Sequence, residues 1–294
     1  MQTSRFMRCP TRHRSVSLLV AVGIALASGG CASVAQRAAD RFASNLGRAV
    51  LNQDDPGTVR DGLPAYLLLL DGLIEGDPGN AALLRAAAGM YGSYAGSFVA
   101  EPARAGILAQ RARDYARRAT CIDQVALCAV LDRPFDRFAA AVQASEDVAA
   151  LYGLSGAWAT WIQTHSEDFA AIADIPKVEA LLQRVVVLVP DHDRGMPWVY
   201  LGVLGSLRPE AVGGRPEQGR AAFERAIELS QGRNLMAKTL FARHYARLVF
   251  DRDLHDRLLK EVLATDPKAP GFTLSNVLAQ QQAQELLGTS PDYF

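Results

Sequence analysis

The chain has 294 residues, 49% of them hydrophobic and 21% charged, with 31 basic and 31 acidic side chains. That content excludes a disordered chain, and 24 Gly without a three-residue period and only 4 Cys exclude collagen-like and disulfide-dense scaffolds. The neutral total hides an uneven layout. Arg5, Arg8, Arg12 and Arg14 stand in the first 30 residues without an acid, which leaves 27 basic against 31 acidic residues beyond them. A mildly acidic body has no electrostatic footprint for nucleic acid or anionic lipid.

Residues 1–30 read as a signal segment. The arginines form a positive n-region, followed by an apolar stretch from Val16 to Ala27 and then by Ser28-Gly29-Gly30-Cys31. The apolar run is about twelve residues, short of the roughly 20 that span a bilayer. The small residues before Cys31 resemble the lipobox of bacterial lipoproteins, where the Cys sulfur is acylated, although Ser28 stands where that motif usually has an aliphatic residue. An acylated Cys31 holds the body at a membrane, each buried methylene contributing about 0.8 kcal/mol. By analogy with other lipoproteins, Ala32 in the next position permits export to the outer membrane. The alternative is ordinary cleavage that leaves a soluble periplasmic protein. Residues 31–58 then form a tether with an N-terminal helix, and residues 59–294 a repeat domain.

Two further cysteines remain, Cys121 and Cys128. An oxidising compartment makes them disulfide candidates. A regular helix sets positions seven apart at about 10.5 Å, beyond the reach of a disulfide, so a bridge requires a bend between them. Two buried free thiols are the alternative. No His or further Cys lies nearby at zinc-ligand spacing.

From Ala32 onward the apolar periodicity is helical. Stripes run through Leu63, Leu67, Leu70, Ile74; Leu84, Ala88, Tyr91, Ala95, Phe98; and Leu108, Ala112, Tyr115, Ala119. Later ones are Val148, Leu151, Ser155, Trp158, Ile162; Val178, Leu182, Val185, Leu188; and Leu240, Tyr245, Leu248. Breakers separate them: Asp54-Asp55-Pro56-Gly57, Asp77-Pro78, Asp132-Arg133-Pro134, Asp174-Ile175-Pro176, Gly213 to Pro216 and Asp266-Pro267. Those with Asp ahead of Pro read as helix entrances, Asp as cap and Pro in the first turn. With no sustained two-residue alternation and no Asn-Gly hairpin signal, the chain reads as all-α with about a dozen helices.

The helices also pair. A tetratricopeptide unit sets large, Leu and small residues on its first helix, and small, large and Ala on its second. Trp198, Leu201, Gly202 followed by Gly219, Phe223, Ala226 fit that pattern with a short insertion. Leu84, Ala88, Tyr91 followed by Ala112, Ala116, Ala119 fit with a longer one. Ala242 and Tyr245 precede Leu254 and Leu258, with Asp266-Pro267 closing the unit, and Val178, Leu182, Val185, Pro190 supply a half-unit. The expectation is a tetratricopeptide-like array of about four helical hairpins, each burying its face only against its neighbours. Tiny side chains at Ala88, Gly202 and Ala242 make the close contacts possible.

Catalytic patterns fail in detail. Gly153-Leu154-Ser155-Gly156-Ala157 lacks the last Gly of a hydrolase elbow and lies on a helical stripe. Asp191-His192-Asp193-Arg194-Gly195 opens like a calcium loop but lacks the third acid and the distal Glu. Asp251, Asp253, His255 and Asp256 read as the acidic start of an amphipathic helix rather than a metal cluster. No phosphate loop occurs, no cofactor or metal is implied, and no enzymatic activity is expected. Binding is the better use of the aromatics. Tyr and Trp suit a cavity with a few orienting hydrogen bonds, so Tyr91, Tyr94, Trp158, Trp161, Tyr200 and Tyr245, with Asn234 and Lys238, are the ligand-cavity candidates. Among these, Tyr94, Trp161, Tyr200, Asn234 and Lys238 lie off the repeat pattern and are read as surface positions, although Asn234 also suits a helix cap. Gly92 and Gly96 sit four apart on one helix, which each weakens by roughly 1 kcal/mol relative to Ala.

Several stretches carry a more specific likeness: Asp61 to Pro78 (DGLPAYLLLLDGLIEGDP), Met90 to Phe98 (MYGSYAGSF), Gly232 to Lys238 (GRNLMAK), His244 to Arg252 (HYARLVFDR), His255 to Leu259 (HDRLL) and the ending Asp292-Tyr293-Phe294. Together they resemble the T-component (TatT) family, tetratricopeptide-repeat lipoproteins that accompany tripartite ATP-independent periplasmic (TRAP) transporters, over roughly residues 59–294. The resemblance implies an α-helical repeat fold, self-association as a homotrimer, a cavity suited to a hydrophobic small ligand, and a TRAP-type periplasmic solute-binding protein as partner. The competing reading keeps the fold but makes the protein an envelope scaffold for protein-complex assembly that binds no small molecule.

Overall fold

The computed structural model describes Asn45 and residues 47–294. The expected signal segment and Cys31 lie outside the described residues. The chain divides into two units, Met1–Val50 and Leu51–Phe294. In the first, the described residues are helical and Arg48 donates to Asn45 at 2.5 Å.

The second unit is all-α, with fourteen helices and no strand among the described residues. Its first half holds α1 (Pro56–Gly76), α2 (Ala81–Phe98), α3 (Pro102–Asp123), α4 (Val125–Cys128), α5 (Phe135–Ala144), α6 (Val148–Thr164), α7 (Phe169–Ala173) and α8 (Ile175–Leu188). After a 3₁₀ turn at His192–Gly195 come α9 (Met196–Gly205), α10 (Pro216–Leu229), α11 (Leu235–Leu240), α12 (Arg252–Ala264), α13 (Thr273–Gly288) and α14 (Ser290–Tyr293). A π-helical segment, Phe241–Ala246, continues α11.

The helix entrances follow the Asp-Pro rule only in part. Asp55 caps α1, accepting from the amides of Gly57 and Thr58, and Pro56 takes the first turn. Asp77 instead closes α1, and Asn80 caps α2 by accepting from Leu83. Asp174 precedes α8 but makes no capping bond, because Arg113 and Lys177 claim its carboxylate. Asp266-Pro267 begins no helix: the loop runs to Phe272, and α13 starts at Thr273.

Helices α2 and α3 form a hairpin against which α6 packs on both members, and α6 in turn packs on α8. The α3 face that makes this possible is alanine until its last turn: Ala105, Ala109, Ala112, Ala116 and Ala119 are buried, followed by Thr120. The expected stripe through Leu108 and Tyr115 is therefore displaced. Two helices approach α3 closely, and only small side chains leave room for both. Gly92 and Gly96 face Thr160 of α6, yet an added Cβ at either meets it at 3.6 Å, ordinary contact. Packing does not demand glycine there.

In the second half, α9 and α10 form a hairpin whose contact is set by Gly202. A Cβ at that position would lie 2.8 Å from the ring of Phe223. Phe223 stacks on Phe241 at 5.2 Å between centroids, and Leu235, Ala242, Leu259, Val262 and Ala279 complete the core around them. Ala88, Gly202 and Ala242 all lie inside the protein.

Cys121 and Cys128 are joined as a disulfide with Cα atoms 4.8 Å apart. The bend that brings them together is Gln124, whose φ of −128° and ψ of 65° end α3 and allow α4 to turn back.

The second unit also fastens its start and its middle onto one loop near its end. Asn52 accepts from the Gly271 amide at 2.6 Å, and Asp54 pairs with Lys268 at 3.0 Å. Arg194 donates to the carbonyls of Pro270 and Gly271, and its guanidinium lies 3.8 Å from the centroid of the Phe272 ring. To reach them, Asp193 and Arg194 take left-handed backbone angles, φ 45° and 54°. Non-glycine residues there cost of order 1–3 kcal/mol each. The Tyr152 hydroxyl, donating to Asp193 at 2.9 Å, and the Arg194 bonds offset that cost.

Candidate functional site

The eight candidate residues are divided between the two halves. Tyr91, Tyr94, Trp158 and Trp161 belong to α2 and α6; Asn234, Lys238 and Tyr245 belong to α11, its cap and the π-helical segment; Tyr200 lies on α9.

The second-half group has structural duties. Asn234 caps α11 by accepting from the Ala237 amide at 3.3 Å, and its amide group donates to the Met196 sulfur at 3.2 Å. Lys238 pairs with Glu261 on α12 at 2.7 Å. Tyr245 packs its ring on Phe241 and donates its hydroxyl to Glu217 at 2.7 Å. Tyr200 is half-buried near Asp193, and burial foremost, with that carboxylate, pushes its phenol up. Tyr94, Trp161 and Asn234, expected at the surface, are buried.

The first-half group has a different character. Asp71 on α1 accepts from the hydroxyls of Tyr91 at 2.6 Å and Tyr115 at 2.7 Å, and from Arg111 at 3.1 Å. Burial, reinforced by the bond to Asp71, pushes Tyr115 up to about 12. Both phenols therefore remain donors at neutral pH. They tie α1, α2 and α3 together.

Deeper in, Trp158 and Trp161 stand three apart on α6 and so share a face. Trp158 is fully buried and meets Phe138 of α5 edge-on at 6.0 Å. Arg113 of α3 places its guanidinium carbon 3.8 Å from the Trp161 ring centroid and 5.0 Å from that of Trp158. Burial foremost, then the nearby Arg117, lowers the affinity of Arg113 for its proton. Lys177 of α8 sits 5.6 Å from the Trp158 ring and donates to the Leu131 carbonyl at 2.9 Å. Arg113 and Lys177 share Asp174, at 3.4 and 3.2 Å. His165, one turn beyond Trp161, stacks on it at 4.9 Å. That ring also lines an open surface groove with Pro102, Gly106, Ile107, Gln110 and Thr164.

Three N–H groups in this cluster have no acceptor among the described residues: Trp158 Nε1, Trp161 Nε1 and Arg113 Nε. A buried donor left unpaired costs about 1–3 kcal/mol. Arg113, Lys177 and Asp174 escape a reading of the sequence. Arg113 looks like one of several arginines on a polar helix, and its partners are 45 to 64 residues away. The one local signal is its place beside Ala112, on the small-residue face.

The hydrolase-like stretch lies within a helix. Ser155 is buried in the middle of α6 and donates to the Tyr152 carbonyl at 2.8 Å. His255 is likewise buried, its Nδ1 2.8 Å from Asp256, which also accepts from Ser290 at 2.7 Å. This arrangement holds the C-terminal turn, where Phe294 packs edge-on against His255.

No helix among the described residues is long and apolar enough to cross a membrane. No curated protein matches the chain. The family model described as TRAP transporter T-component does match, over residues 52–294, which takes in both halves of the helical array. The chain belongs to the TRAP transporter T-component family.

Proposed function

We propose that this T-component docks a TRAP-type periplasmic solute-binding protein and offers it a binding site for a small ligand with an apolar body. The family match over residues 52–294 carries the reading. It is supported by an aromatic-rich interior in the first half of the array. The protein acts from the periplasmic face of the bacterial outer membrane, held by acylated Cys31 after removal of residues 1–30. Residues 31–58 serve as the tether, and the body assembles as a homotrimer with tetratricopeptide-type packing.

Native mass spectrometry of the detergent-extracted protein, with and without the solute-binding protein encoded beside it, tests this reading. The expected result is a trimer that gains mass as a complex with that partner. A bare monomer that ignores the partner overturns it. Cys31→Ser is expected to release the protein from the membrane fraction without changing complex formation.

A further inference from the structure

The turn between the two halves of the array holds one acid in a fixed place at a cost in backbone energy. Asp193, Arg194 and Gly195 follow one another in left-handed conformation, φ 45°, 54° and 90°. Strain of this kind at non-glycine residues gathers where a side chain must be held for a purpose. Gly195 is fixed from behind, since a Cβ there would lie 3.1 Å from Leu229 and 3.3 Å from the Ala226 backbone. Arg194 is drawn away to the carbonyls of Pro270 and Gly271. Asp193 itself is exposed, and its carboxylate pairs with no cation among the described residues.

Three rings flank that carboxylate. Tyr152 of α6 donates to Asp193 Oδ2 at 2.9 Å, which leaves Oδ1 free to accept. His192 meets the Tyr152 ring edge-on, 4.7 Å between centroids. Tyr200 of α9 lies close enough to feel the charge of Asp193 and to act on Tyr152. Burial foremost raises both phenols, so both stay protonated at neutral pH. The Tyr200 hydroxyl and the His192 ring nitrogens make no hydrogen bond among the described residues. A neutral phenol oxygen can accept as well as donate.

The group is open to solvent. Tyr152, His192 and Tyr200 are only half-buried. Gly156 stands one turn along α6 from Tyr152 and so shares its face. A Cβ there would meet nothing within 4 Å, so that face borders open space.

The sign of the charge excludes an anion. A bare metal ion asks for more ligands, and no three His, Cys, Asp or Glu side chains gather to hold one among the described residues. One unneutralised carboxylate, free acceptors and aromatic faces together suit an organic cation that carries N–H donors.

We propose that Asp193, Tyr152, Tyr200 and His192 form a binding site for the ammonium group of a small primary amine. The N–H donors go to Asp193 Oδ1 and the Tyr200 hydroxyl oxygen, and the first methylenes lie against the Tyr152 and His192 rings. This goes beyond the proposed function and rests neither on docking nor on the ligand with an apolar body.

Isothermal titration of the purified full-length protein at pH 7.5 tests the site. n-Butylammonium supplies charge, donors and methylenes; tetramethylammonium supplies charge without donors, and n-butanol methylenes without charge. n-Butylammonium is expected to bind, with the other two at least tenfold weaker. Asp193→Asn is expected to weaken it at least tenfold. Asn accepts left-handed angles and keeps an oxygen for Tyr152, so this change removes the charge alone. Tyr200→Phe is expected to weaken binding at least threefold. Its hydroxyl bonds nothing in the fold, so it carries the test if Asp193→Asn fails to fold. Asp191→Asn, at the exposed carboxylate two residues away, is expected to leave affinity within twofold. The proposal is overturned if n-butylammonium does not bind, if either analogue matches it, or if the folded variants keep wild-type affinity. A loss in Asp191→Asn as large as that in Asp193→Asn overturns it too, since the effect is then general charge. Complex formation with the solute-binding protein is read separately, so failure here leaves the docking reading in place.

Discussion

The two halves of the array bury their helix faces with different chemistry. Around Phe223 and Phe241, the second half packs aliphatic and aromatic side chains, and its buried asparagines are matched: Asn234 caps a helix, and Asn276 accepts from the Leu235 amide while donating to the carbonyls of Arg233 and Pro267. Its unpartnered polar atoms, on Ser206, Arg247, His255 and Gln282, do not gather around a single charge. In the first half an alanine-rich face of α3 admits α2 and α6, and a guanidinium is set against two indoles whose donors are unmatched. A close-packed apolar core needs no further partner. In the first half the unpaired donors gather around one guanidinium, beside a carboxylate that two cations share.

The largest expected effect tests the apolar side of this contrast. Phe223→Ala opens a cavity beneath Phe241 and should cost about 3–5 kcal/mol, read from urea unfolding. Trp158→Phe, which retains a ring and removes an unpaired donor, should cost under about 1.5 kcal/mol. A Trp158→Phe loss equal to that of Phe223→Ala would erase the distinction. Next in size is the covalent staple of the first half. The Cys121→Ser, Cys128→Ser double variant should lose about 2–3 kcal/mol through the freed loop, measured in the same way against wild type.

A pair of glycine replacements should differ in sign. Gly202→Ala drives a methyl into the Phe223 ring and should cost about 1–3 kcal/mol. Gly96→Ala meets the Thr160 methyl at 3.6 Å and Gln163 Oε1 at 3.9 Å, both ordinary contact, and should gain about 0.5–1 kcal/mol through helix propensity. Thermal melts of the two variants decide it, and a destabilising Gly96→Ala would mean that α2 and α6 approach more closely in solution.

The smallest effect at neutral pH belongs to His244 in the second half. Burial foremost, and then Arg243, lower its pKa to about 4 from an ordinary 6.5. The unfolded chain therefore binds the extra proton first as pH falls. The stabilisation is complete above about pH 6.5 and is lost as pH drops toward 4. His244→Gln should flatten that part of the stability–pH curve and leave stability at pH 7.5 nearly unchanged.

Helix content and pairing were legible because they rest on local periodicity: Leu84, Ala88, Tyr91 and Ala95 announce the buried face of α2, and Gly202 with Phe223 announces a hairpin. The register of α3 was legible only in part: the repeat pattern placed Ala112, Ala116 and Ala119 on its packing face, whereas the apolar stripe added Leu108 and Tyr115. Leu108 and Tyr115 outweigh alanine on any hydrophobicity count, whereas the space between two neighbours selects the face with the smallest side chains. Asp266-Pro267 misled for a similar reason. Its loop is shaped by Asn52, Lys268 and Arg194, contacts that no local signal carries. The polar cluster around Arg113 joins α3, α6 and α8, and it emerges only once those helices are assembled.

The loop at Pro267–Phe272 takes bonds from Asn52 and Asp54 at one end of the unit and from Arg194 at its midpoint. An open solenoid grows by inserting one more hairpin anywhere along its length. Here a hairpin added between Asp54 and Arg194 would disturb the first two attachments, and one added between Arg194 and Pro267 would disturb all three.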